Sequence, residues 1–516
     1  MHAVPLVYST STGEFMAEQR GKVVVIGAGP GGVTAGMILS SKGYDVEVYE
    51  KEDCVGGRNQ SIDIDGYTFE LGPTFLMMPD ILKEMFEISG RDVHDYMNLM
   101  EVDPLYRVVF GDGREFLPSH QEPQRTKEQL QRLFPEDADG FDKFMEREST
   151  KYDRLMPCLQ VPYESYFDLF STDILHALPY LDAHKSMLEH MGRYFDAQEL
   201  KIAFTFQSKY LGMSPWECPG IFSLIPYAEH GMGIWHPEGG LNQISKAMAE
   251  VMEEEGGRIH LSEPVDQLMM ENGTVEGVQL EGGEQVDADR VIINADFGVA
   301  MQNLVPEGEL DKWTPEQLED TEYSCSTFML YLGMDRIYPD VPHHNILLSS
   351  DYKKNVDQIS QLKELPEDPA IYMQNACVTD PGLAPEGKST IYILAPVPNN
   401  RSGIDWDEVK EDYRETVLDL VEDRGDVENI RENINVERMV TPADWERMGI
   451  FEGATFNMAH SVSQMLMFRP HNRFEELEDC YLVGGGTHPG SGLPTIFESA
   501  RISSGLILQE DGFEYV

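Results

Sequence analysis

The chain has 516 residues, of which 41% are hydrophobic, so it can bury two sizeable cores and is not a mostly disordered protein. Its 39 lysine and arginine residues face 91 aspartate and glutamate residues, which gives a formal net charge of −52. A surface this acidic repels a phosphate backbone and excludes nucleic acid as a partner. The acidic residues are spread along the chain, which fits either an ordinary solvated surface or adaptation to high cytosolic salt.

The six cysteines are scattered and show neither Cys-x-x-Cys nor histidine spacing, so we expect reduced thiols and no metal site. The first 20 residues lack the basic start and apolar core of a secretory signal, and we expect them to form an N-terminal extension. The uncharged run from Val23 to Ser41 holds several glycines and is better explained by a nucleotide-binding turn than by a membrane span. These features predict a cytoplasmic protein.

A glycine-rich turn follows the first β-prone run of the chain. Val23 to Ile26 leads into Gly27, Gly29 and Gly32, which have Gly-x-Gly-x-x-Gly spacing, and a helical stretch and a second strand follow. This order predicts a βαβ dinucleotide-binding unit, in which Gly27 makes the tight turn, Gly29 lets a pyrophosphate approach and Gly32 allows close helix packing. Glu50 closes the second strand, where an acid accepts hydrogen bonds from a ribose hydroxyl.

A second glycine turn, Cys54-Val-Gly-Gly-Arg58, comes shortly after Glu50 and its neighbour Lys51. Gly57 allows a further close backbone approach, and Arg58 can neutralise a diphosphate or border an isoalloxazine ring. This arrangement favours FAD over NAD.

The middle of the chain alternates helical and β patterns. Residues 79–225 are mostly helical, and a helix over 241–255 leads to a strand over 258–261. Hairpin strands between 265 and 286 precede a strand within 289–296. Residues 301–450 show a mixture of strand and helix patterns. Within them, a helix is expected over 405–422, and its apolar stripe predicts packing in the core.

Near the end of the chain, an apolar run again breaks into glycine, in Tyr481-Leu-Val-Gly-Gly-Gly-Thr-His-Pro-Gly-Ser-Gly-Leu-Pro494. A helix is expected to begin near its last residue, with the positive N-terminal end facing the pyrimidine side of a flavin. The predicted flavin contacts are Gly72, Pro73, Gly486, Gly492, Leu493 and Pro494.

Three of these motifs together resemble a known family. Glu50-Lys-Glu-Asp-Cys-Val-Gly-Gly-Arg58, Phe69-Glu-Leu-Gly-Pro-Thr74 and Gly484-Gly-Gly-Thr-His-Pro-Gly-Ser-Gly-Leu-Pro494 are similar to segments of the bacterial-type phytoene desaturases. These are FAD-dependent carotenoid desaturases within the amine oxidase-like superfamily. The resemblance extends over nearly the whole chain from Lys22 onward.

The motifs and the resemblance together imply an α/β fold class, with a Rossmann-type FAD-binding domain in three sequence pieces and an interleaved α+β substrate domain. The expected FAD-binding pieces are residues 21–78, 226–300 and 451–516, after the extension over 1–20. The expected substrate domain comprises residues 79–225 and 301–450. The backbone of Val265 would meet the adenine.

The resemblance implies an enzyme that introduces C=C bonds into a carotenoid precursor of the phytoene type. No side chain accepts a hydride, so FAD would accept it at N5. The implied partners are a lipophilic polyene, a quinone or oxygen as electron acceptor, and a membrane contacted peripherally. The alternatives are another enzyme of this superfamily (a later-step carotenoid desaturase, a carotenoid isomerase or saturase, or an amine oxidase), or a flavin-free carrier of prenylated proteins.

Acid–base residues are not fixed by the sequence. His488 either braces its turn or takes part in proton transfer, whereas structural roles are expected for His460, Gln464 and Arg469. The tract from Phe204 to Trp235, rich in aromatic residues and methionine, either packs in a core or lines a lipid channel.

The charge of −52 predicts that the fold requires salt. Lowering the ionic strength lengthens the screening distance from about 8 Å toward about 30 Å, so repulsion between the acidic groups grows. We expect the melting temperature to rise between dilute buffer and molar KCl. Equal melting temperatures under the two conditions would contradict adaptation to salt.

Overall fold

The computed structural model describes residues 20–515, so the predicted extension lies outside the described residues, apart from its last residue. The described residues form nineteen strands: β1 (Arg20–Ile26), β2 (Tyr44–Tyr49), β3 (Ser61–Ile64), β4 (Tyr67–Glu70), β5 (Leu99–Val102), β6 (Arg107–Val109), β7 (Glu115–Phe116), β8 (Ile234–Pro237), β9 (Arg258–His260), β10 (Val265–Glu271), β11 (Thr274–Leu280), β12 (Gln285–Asp287), β13 (Arg290–Ile293), β14 (Ser326–Met334), β15 (His344–Leu347), β16 (Ile371–Gln374), β17 (Ser389–Val397), β18 (Ile434–Val440) and β19 (Cys480–Leu482).

The same residues form sixteen α-helices: α1 (Pro30–Ser41), α2 (Pro79–Ile88), α3 (Pro123–Leu133), α4 (Gly140–Leu159), α5 (Thr172–Ala177), α6 (Met187–Met191), α7 (Gln198–Ala203), α8 (Leu224–Met232), α9 (Asn242–Glu254), α10 (Phe297–Asn303), α11 (Pro315–Asp320), α12 (Tyr352–Asp357), α13 (Trp406–Arg424), α14 (Ile430–Asn433), α15 (Pro442–Arg447) and α16 (Leu493–Glu510). None of them is both long and apolar enough to cross a bilayer.

A five-stranded parallel sheet gathers distant parts of the chain. Its strand order is β19-β13-β1-β2-β9, and every neighbouring pair is parallel. Valines 23, 24 and 25 in its central strand β1 are fully buried, as expected for a sheet covered on both faces. The carboxyl ends of β1, β13 and β19 therefore meet at one edge, where ligands bind in such folds.

Helix α1 explains how the separate stretches hold together. It packs against α9 and α16, and every residue from Pro30 to Ser40 is buried. A helix that is apolar on all sides is stable only when it is enclosed, and α1 is enclosed by elements from later in the chain.

A seven-stranded sheet forms the second layer, with strand order β18-β14-β17-β16-β15-β6-β7. Only β15 and β6 are parallel, and the other neighbours are antiparallel. Residues 79–225 were predicted to be mostly helical, and β6 and β7 within them were not predicted. Strands of three and two residues are too short to show a periodic hydrophobic pattern. The helix expected over 405–422 is α13, which packs on this sheet through Tyr413, Val417 and Val421. The boundaries of the two domains stay a prediction.

Candidate functional site

The turn between β1 and α1 is built for close backbone approach. Gly27 has a φ of +98°, which favours glycine, and its amide donates to the carbonyl of Tyr49 at 2.8 Å. A Cβ atom on Gly32 would collide with the carbonyl oxygen of Gly27. Gly29 differs, because its backbone is extended and a Cβ there would meet only the Asn294 amide at 3.0 Å and the Cα of Gly57 at 4.0 Å.

Asn294 connects the glycine segments from the two ends of the chain. Its Nδ2 donates to the carbonyl of Gly27 at 3.0 Å. A Cβ atom added to Gly31 would stand 2.6 Å from the Oδ1 of Asn294, and a Cβ atom added to Gly484 would stand 3.4 Å from it. Asn294 lies outside the predicted site residues, although a polar residue directly after a buried parallel strand is a recognisable candidate.

Glu50 is buried at the end of β2. Its Oε2 accepts from the amide of Ala28 at 2.7 Å, and its Oε1 accepts from the amide of Glu52 at 3.0 Å. Each carboxylate oxygen has a second lone pair for a ribose hydroxyl. The amide of Glu263 donates to the Glu50 carbonyl at 2.9 Å, which brings Val265 at the start of β10 to the same edge.

Lys51 points elsewhere. Its exposed ammonium donates to the carbonyl of Met448 at 3.0 Å and lies 3.7 Å from the carboxylate of Glu52. The structure thus does not bring its charge to the glycine turns, and its contact with the cofactor stays a prediction.

Arg58 is held in place by an acid from the end of β13. It forms an ion pair with Asp296 and donates to the carbonyl of Thr455 at 3.3 Å. Asp296 also caps α10 and accepts from the Asn457 amide at 3.3 Å. Gly57 lies directly against the first turn, since a Cβ on it would stand 3.2 Å from the Cα of Gly29. Asp296 and Asn457 were missed because neither lies in a glycine motif.

The segment with Gly72 and Pro73 lies between the two sheets. A Cβ on Gly72 would stand 2.7 Å from the carbonyl oxygen of Arg58. From the second sheet, the Tyr331 hydroxyl donates to the carbonyl of Leu71 at 2.6 Å, and that of Tyr392 donates to Gly72 at 2.8 Å. These hydrogen bonds fix the segment beside the second glycine turn.

The C-terminal motif completes the edge of the sheet. Gly492 has a φ of +122° and precedes α16, whose first residues Leu493 and Pro494 are buried. The first turn of α16 approaches α1, since the Ile496 side chain would lie 3.2 Å from a Cβ on Gly31. Gly486 packs against Phe297. A Cβ atom added to Gly486 would lie 2.6 Å from the Cβ of Phe297.

His488, in the C-terminal glycine motif, is buried against an aromatic ring. The ring of His488 packs edge-on against Tyr163, and burial together with nearby Arg469 lowers the pKa of His488 to about 3. Such an imidazole binds protons too weakly to serve as a base at neutral pH, which favours the bracing role.

The other three polar candidates also support the backbone. His460 accepts from the amide of Ser491 at 3.0 Å, and Gln464 hydrogen-bonds the backbone of Glu322. Arg469 donates to four carbonyls, including that of Gly485 at 2.7 Å, and burial lowers its pKa to about 10. Their contacts agree with the structural roles expected for them.

The edge has the features that a dinucleotide needs. Neither α1 nor α16 has a side-chain cap at its N-terminus, so the backbone amides of their first turns are not used by a cap. These amides, and the positive ends of the two helix dipoles, face the edge of the parallel sheet. Gly29 leaves room for a diphosphate, and Glu50 offers acceptors at the expected position. The residues present therefore fit FAD. No group of three or more potential metal ligands occurs among residues 20–515.

Gly29→Val tests this site directly. Valine can adopt the extended backbone at this position, with φ −68° and ψ 172°, so the fold should survive while the diphosphate position is filled. We expect flavin retention to fall about tenfold or more, because the lost close approach exceeds about 1.4 kcal/mol. The measurement is the flavin absorbance of the purified protein, with circular dichroism to monitor the fold.

The matched control is Gly282→Val, since a Cβ on Gly282 meets nothing within 4 Å. It should retain flavin. Gly486→Val should also lose flavin, but its collision with Phe297 makes it the less direct test. Full flavin occupancy in Gly29→Val would mean that the turn does not bind the diphosphate.

Residues 30–508 match the protein family described as flavin containing amine oxidoreductase. The chain is 50% identical over 489 residues to a 4,4'-diapophytoene desaturase (4,4'-diapolycopene-forming) from a Methylomonas species, with 95% of each chain covered. It is 36% identical to a zeta-carotene-forming phytoene desaturase from Myxococcus xanthus, with 93% of this chain and 92% of that one covered.

Among solved structures, an oxidoreductase from Methanosarcina mazei superimposes with a TM-score of 0.64 at 19% identity, covering 93% of this chain and 98% of that one. This likeness shows the fold. The predicted α/β fold class, FAD as the cofactor and the predicted family are thereby confirmed. The chain belongs to the flavin-containing amine oxidoreductases and, within them, to the group that includes the bacterial carotenoid desaturases.

Proposed function

We propose that this chain is a FAD-dependent desaturase that introduces C=C bonds into an acyclic carotenoid precursor, with 4,4'-diapophytoene as the favoured substrate. The observation that carries this proposal is the 50% identity to a 4,4'-diapophytoene desaturase over 95% of both chains, against 36% to a phytoene desaturase. The intact glycine turns and Glu50 argue against a flavin-free carrier.

The reaction removes a hydride and a proton from adjacent carbons of a hydrocarbon. FAD, when bound, supplies the hydride acceptor. The protein has to orient a polyene that offers no polar group and to keep water away from it. The residues around Phe75 suit this task.

Phe75 follows the Gly72–Pro73 segment and lies within an aromatic cluster. Its ring stacks on His344 at 4.1 Å between centroids and lies 5.2 Å from Tyr210 and 5.3 Å from Tyr372. The Tyr372 hydroxyl donates to Thr74 at 2.8 Å, so the cluster is fixed to the predicted flavin segment. We call these four residues, Phe75, Tyr210, His344 and Tyr372, the aromatic wall, and we propose that the polyene lies against it.

Helix α16 contributes electrostatics to the proposed reaction. Its uncapped first turn, next to Gly492, presents backbone amides and the positive end of the helix dipole. Negative charge that develops at the pyrimidine side of the cofactor would be stabilised there. The proposed electron acceptor is a quinone or oxygen.

The proposed activity can be tested in colourless hosts that make either 4,4'-diapophytoene or phytoene. We expect visible carotenoids in the first host and less product in the second, and a yellow purified protein. The Gly29→Val variant should leave both hosts colourless. Absence of conjugated products in both hosts, despite full flavin occupancy, would contradict the proposal.

We further propose that the protein contacts membranes peripherally, through the segment 166–178. Phe167 is 85% exposed and Phe170 73% exposed, and Tyr166, Leu175 and Leu178 are also exposed. Phe468 extends this patch, since its ring lies 6.3 Å from that of Tyr166. With a net charge of −52, attraction to a bilayer has to come from apolar side chains rather than from charge.

The double variant Phe167→Ser, Phe170→Ser tests the membrane contact. We expect flotation with neutral phosphatidylcholine liposomes in high salt to fall about tenfold or more, since each buried phenylalanine contributes about 1.5–3 kcal/mol. The matched control is Ile337→Ser, Leu362→Ser, at two other exposed apolar residues. Equal flotation of both double variants, or wild-type protein found only in the soluble fraction, would contradict this membrane contact.

A further inference from the structure

Three buried histidine rings lie in a row behind the aromatic wall. His344 belongs to the wall, and its ring centroid lies 4.3 Å from that of His343. The ring of His343 lies 5.0 Å from that of His236 in β8. The row ends at Asp380, whose Oδ2 lies 3.3 Å from the Nε2 of His236. Imidazole groups thus lead from the proposed polyene position to a carboxyl group.

The backbone holds both ends of this row beside the wall. Trp235, the residue before His236, exchanges two backbone hydrogen bonds with Leu76, at 2.9 Å and 3.3 Å. Leu76 directly follows Phe75, the ring on which His344 stacks. One short segment therefore fixes His344 by stacking and His236 by strand-like pairing.

His344 and His236 each keep a free lone pair. The Tyr372 hydroxyl donates to Thr74, so its oxygen accepts from the Nδ1–H of His344 at 2.8 Å, and the Nε2 of His344 remains an acceptor. The Nε2–H of His236 donates to Asp380, which leaves its Nδ1 as an acceptor. Within residues 20–515, neither of these two acceptor nitrogens has a hydrogen-bond partner. A hydrocarbon offers no donor to them, so both are available to a proton.

His343, between these two rings, has no free nitrogen. Its Nε2 accepts from the Gln374 amide at 3.1 Å, and its Nδ1–H donates to the Thr379 hydroxyl at 2.8 Å. It contributes to the row by packing between its neighbours.

Only His236 has a carboxylate against its ring. Burial lowers the pKa of His344 and of His343 well below the usual value, so neither retains a proton near neutral pH. Burial raises the pKa of Asp380, but hydrogen bonds from His236 and from the Gly239 amide at 2.7 Å outweigh this and lower it. An ionised Asp380 stabilises a positive charge on His236.

The proposed desaturation releases a proton into an apolar interior. FAD takes the hydride from one carbon, and the C–H bond of the adjacent carbon breaks. The electron pair of that bond becomes the second bond of C=C, and its proton needs an acceptor.

We propose that His236, paired with Asp380, holds this proton, which reaches its Nδ1 from the wall through the Nε2 of His344. This inference rests on the proposed function, since the wall is taken as the polyene position. Asp380 lies between the half-buried Thr379 and the exposed Pro381, where the proton returns to solvent.

Glu70 is the competing acceptor, because it is the other buried acid whose charge acts on His236. Its Oε1 accepts from the Leu241 amide at 2.7 Å, and burial raises its pKa to about 7. It has no imidazole on its carboxyl group that leads to the wall, so we assign it a structural role at the start of α9.

The test measures how fast 4,4'-diapophytoene in neutral liposomes bleaches the flavin absorbance in a single turnover without oxygen. His236→Gln keeps a donor for Asp380 but cannot take a proton. We expect its rate at saturating substrate to fall about 100-fold or more, as on loss of a general base, and its half-saturating substrate concentration to stay within about twofold. Asp380→Asn should lower the rate about tenfold, since a neutral partner stabilises the imidazolium less. Reduction by dithionite, which removes no proton from a polyene, should be unchanged in both variants.

Nitrogen NMR of the histidines in the resting, flavin-loaded protein adds a readout without turnover. In mildly alkaline buffer, the signals that disappear in His236→Gln should show a proton on Nε2 and none on Nδ1. Asp380→Asn should remove this preference for Nε2. A proton on Nδ1 in the wild type would overturn the inference, because the acceptor lone pair would then be absent.

The matched control is His230→Gln, at another buried histidine with an unpaired ring nitrogen, which stacks on Phe204. It should reduce its flavin at the wild-type rate, and so should Glu70→Gln. A wild-type rate in His236→Gln would overturn the inference, and a loss confined to Glu70→Gln would assign the proton to Glu70.

Failure of the proposed function gives a different result from failure of this inference. If the chain does not act on polyenes, the flavin of the wild type stays oxidised with the substrate. If only the proton acceptor is wrong, the wild type and His236→Gln are reduced equally fast. Should His236→Gln lose its flavin, Asp380→Asn decides, and an unchanged rate in that variant overturns the inference.

Discussion

The arrangement of the whole molecule depends on close backbone contact around Asn294. This one amide bonds the carbonyl of Gly27 and lies against Gly31 and Gly484, so stretches separated by hundreds of residues share one hydrogen-bonded edge. A Cβ atom on Gly31 or Gly32 would collide with this side chain, at 2.6 Å from its Oδ1 and 2.9 Å from its Nδ2 respectively. A side chain at either position would push α1, on which α9 and α16 pack, away from the sheet.

The second sheet contributes by fixing one short segment rather than by supplying an acid or a base. Hydroxyl groups of Tyr331, Tyr392 and Tyr372 bond residues 71, 72 and 74 in turn, which sets the distance between the glycine edge and the aromatic wall. Each tyrosine presents an apolar ring to the interior and uses its hydroxyl on the backbone or on Thr74. The rings of Tyr372 and Tyr392 thereby pack together, 5.7 Å apart, beside the wall against which the polyene is proposed to lie.

Charge is distributed in a way that suits a protein working on a lipid-dissolved molecule. The excess of acidic residues gives strong mutual repulsion and solubility, whereas the segment 166–178 exposes phenylalanines to solvent. Inside, burial raises the pKa of Glu229 and lowers that of His488, which disfavours their charged forms. Arg58 forms an ion pair with Asp296 at the edge where a diphosphate would be bound.

The sequence by itself predicted the glycine-rich edge of the parallel sheet, because Gly27, Gly29, Gly32 and Glu50 act through local backbone geometry that their spacing encodes. It also predicted the strands and helices with long, regular patterns, such as β11 and α13. Asp296 and Tyr392 could not be selected, since each matters only through a partner far away in the chain. Strands β6 and β7 were likewise too short to carry a period. Only the tertiary structure decided that His488 faces a buried aromatic ring, because burial and proximity, not residue type, set the chemistry of this group.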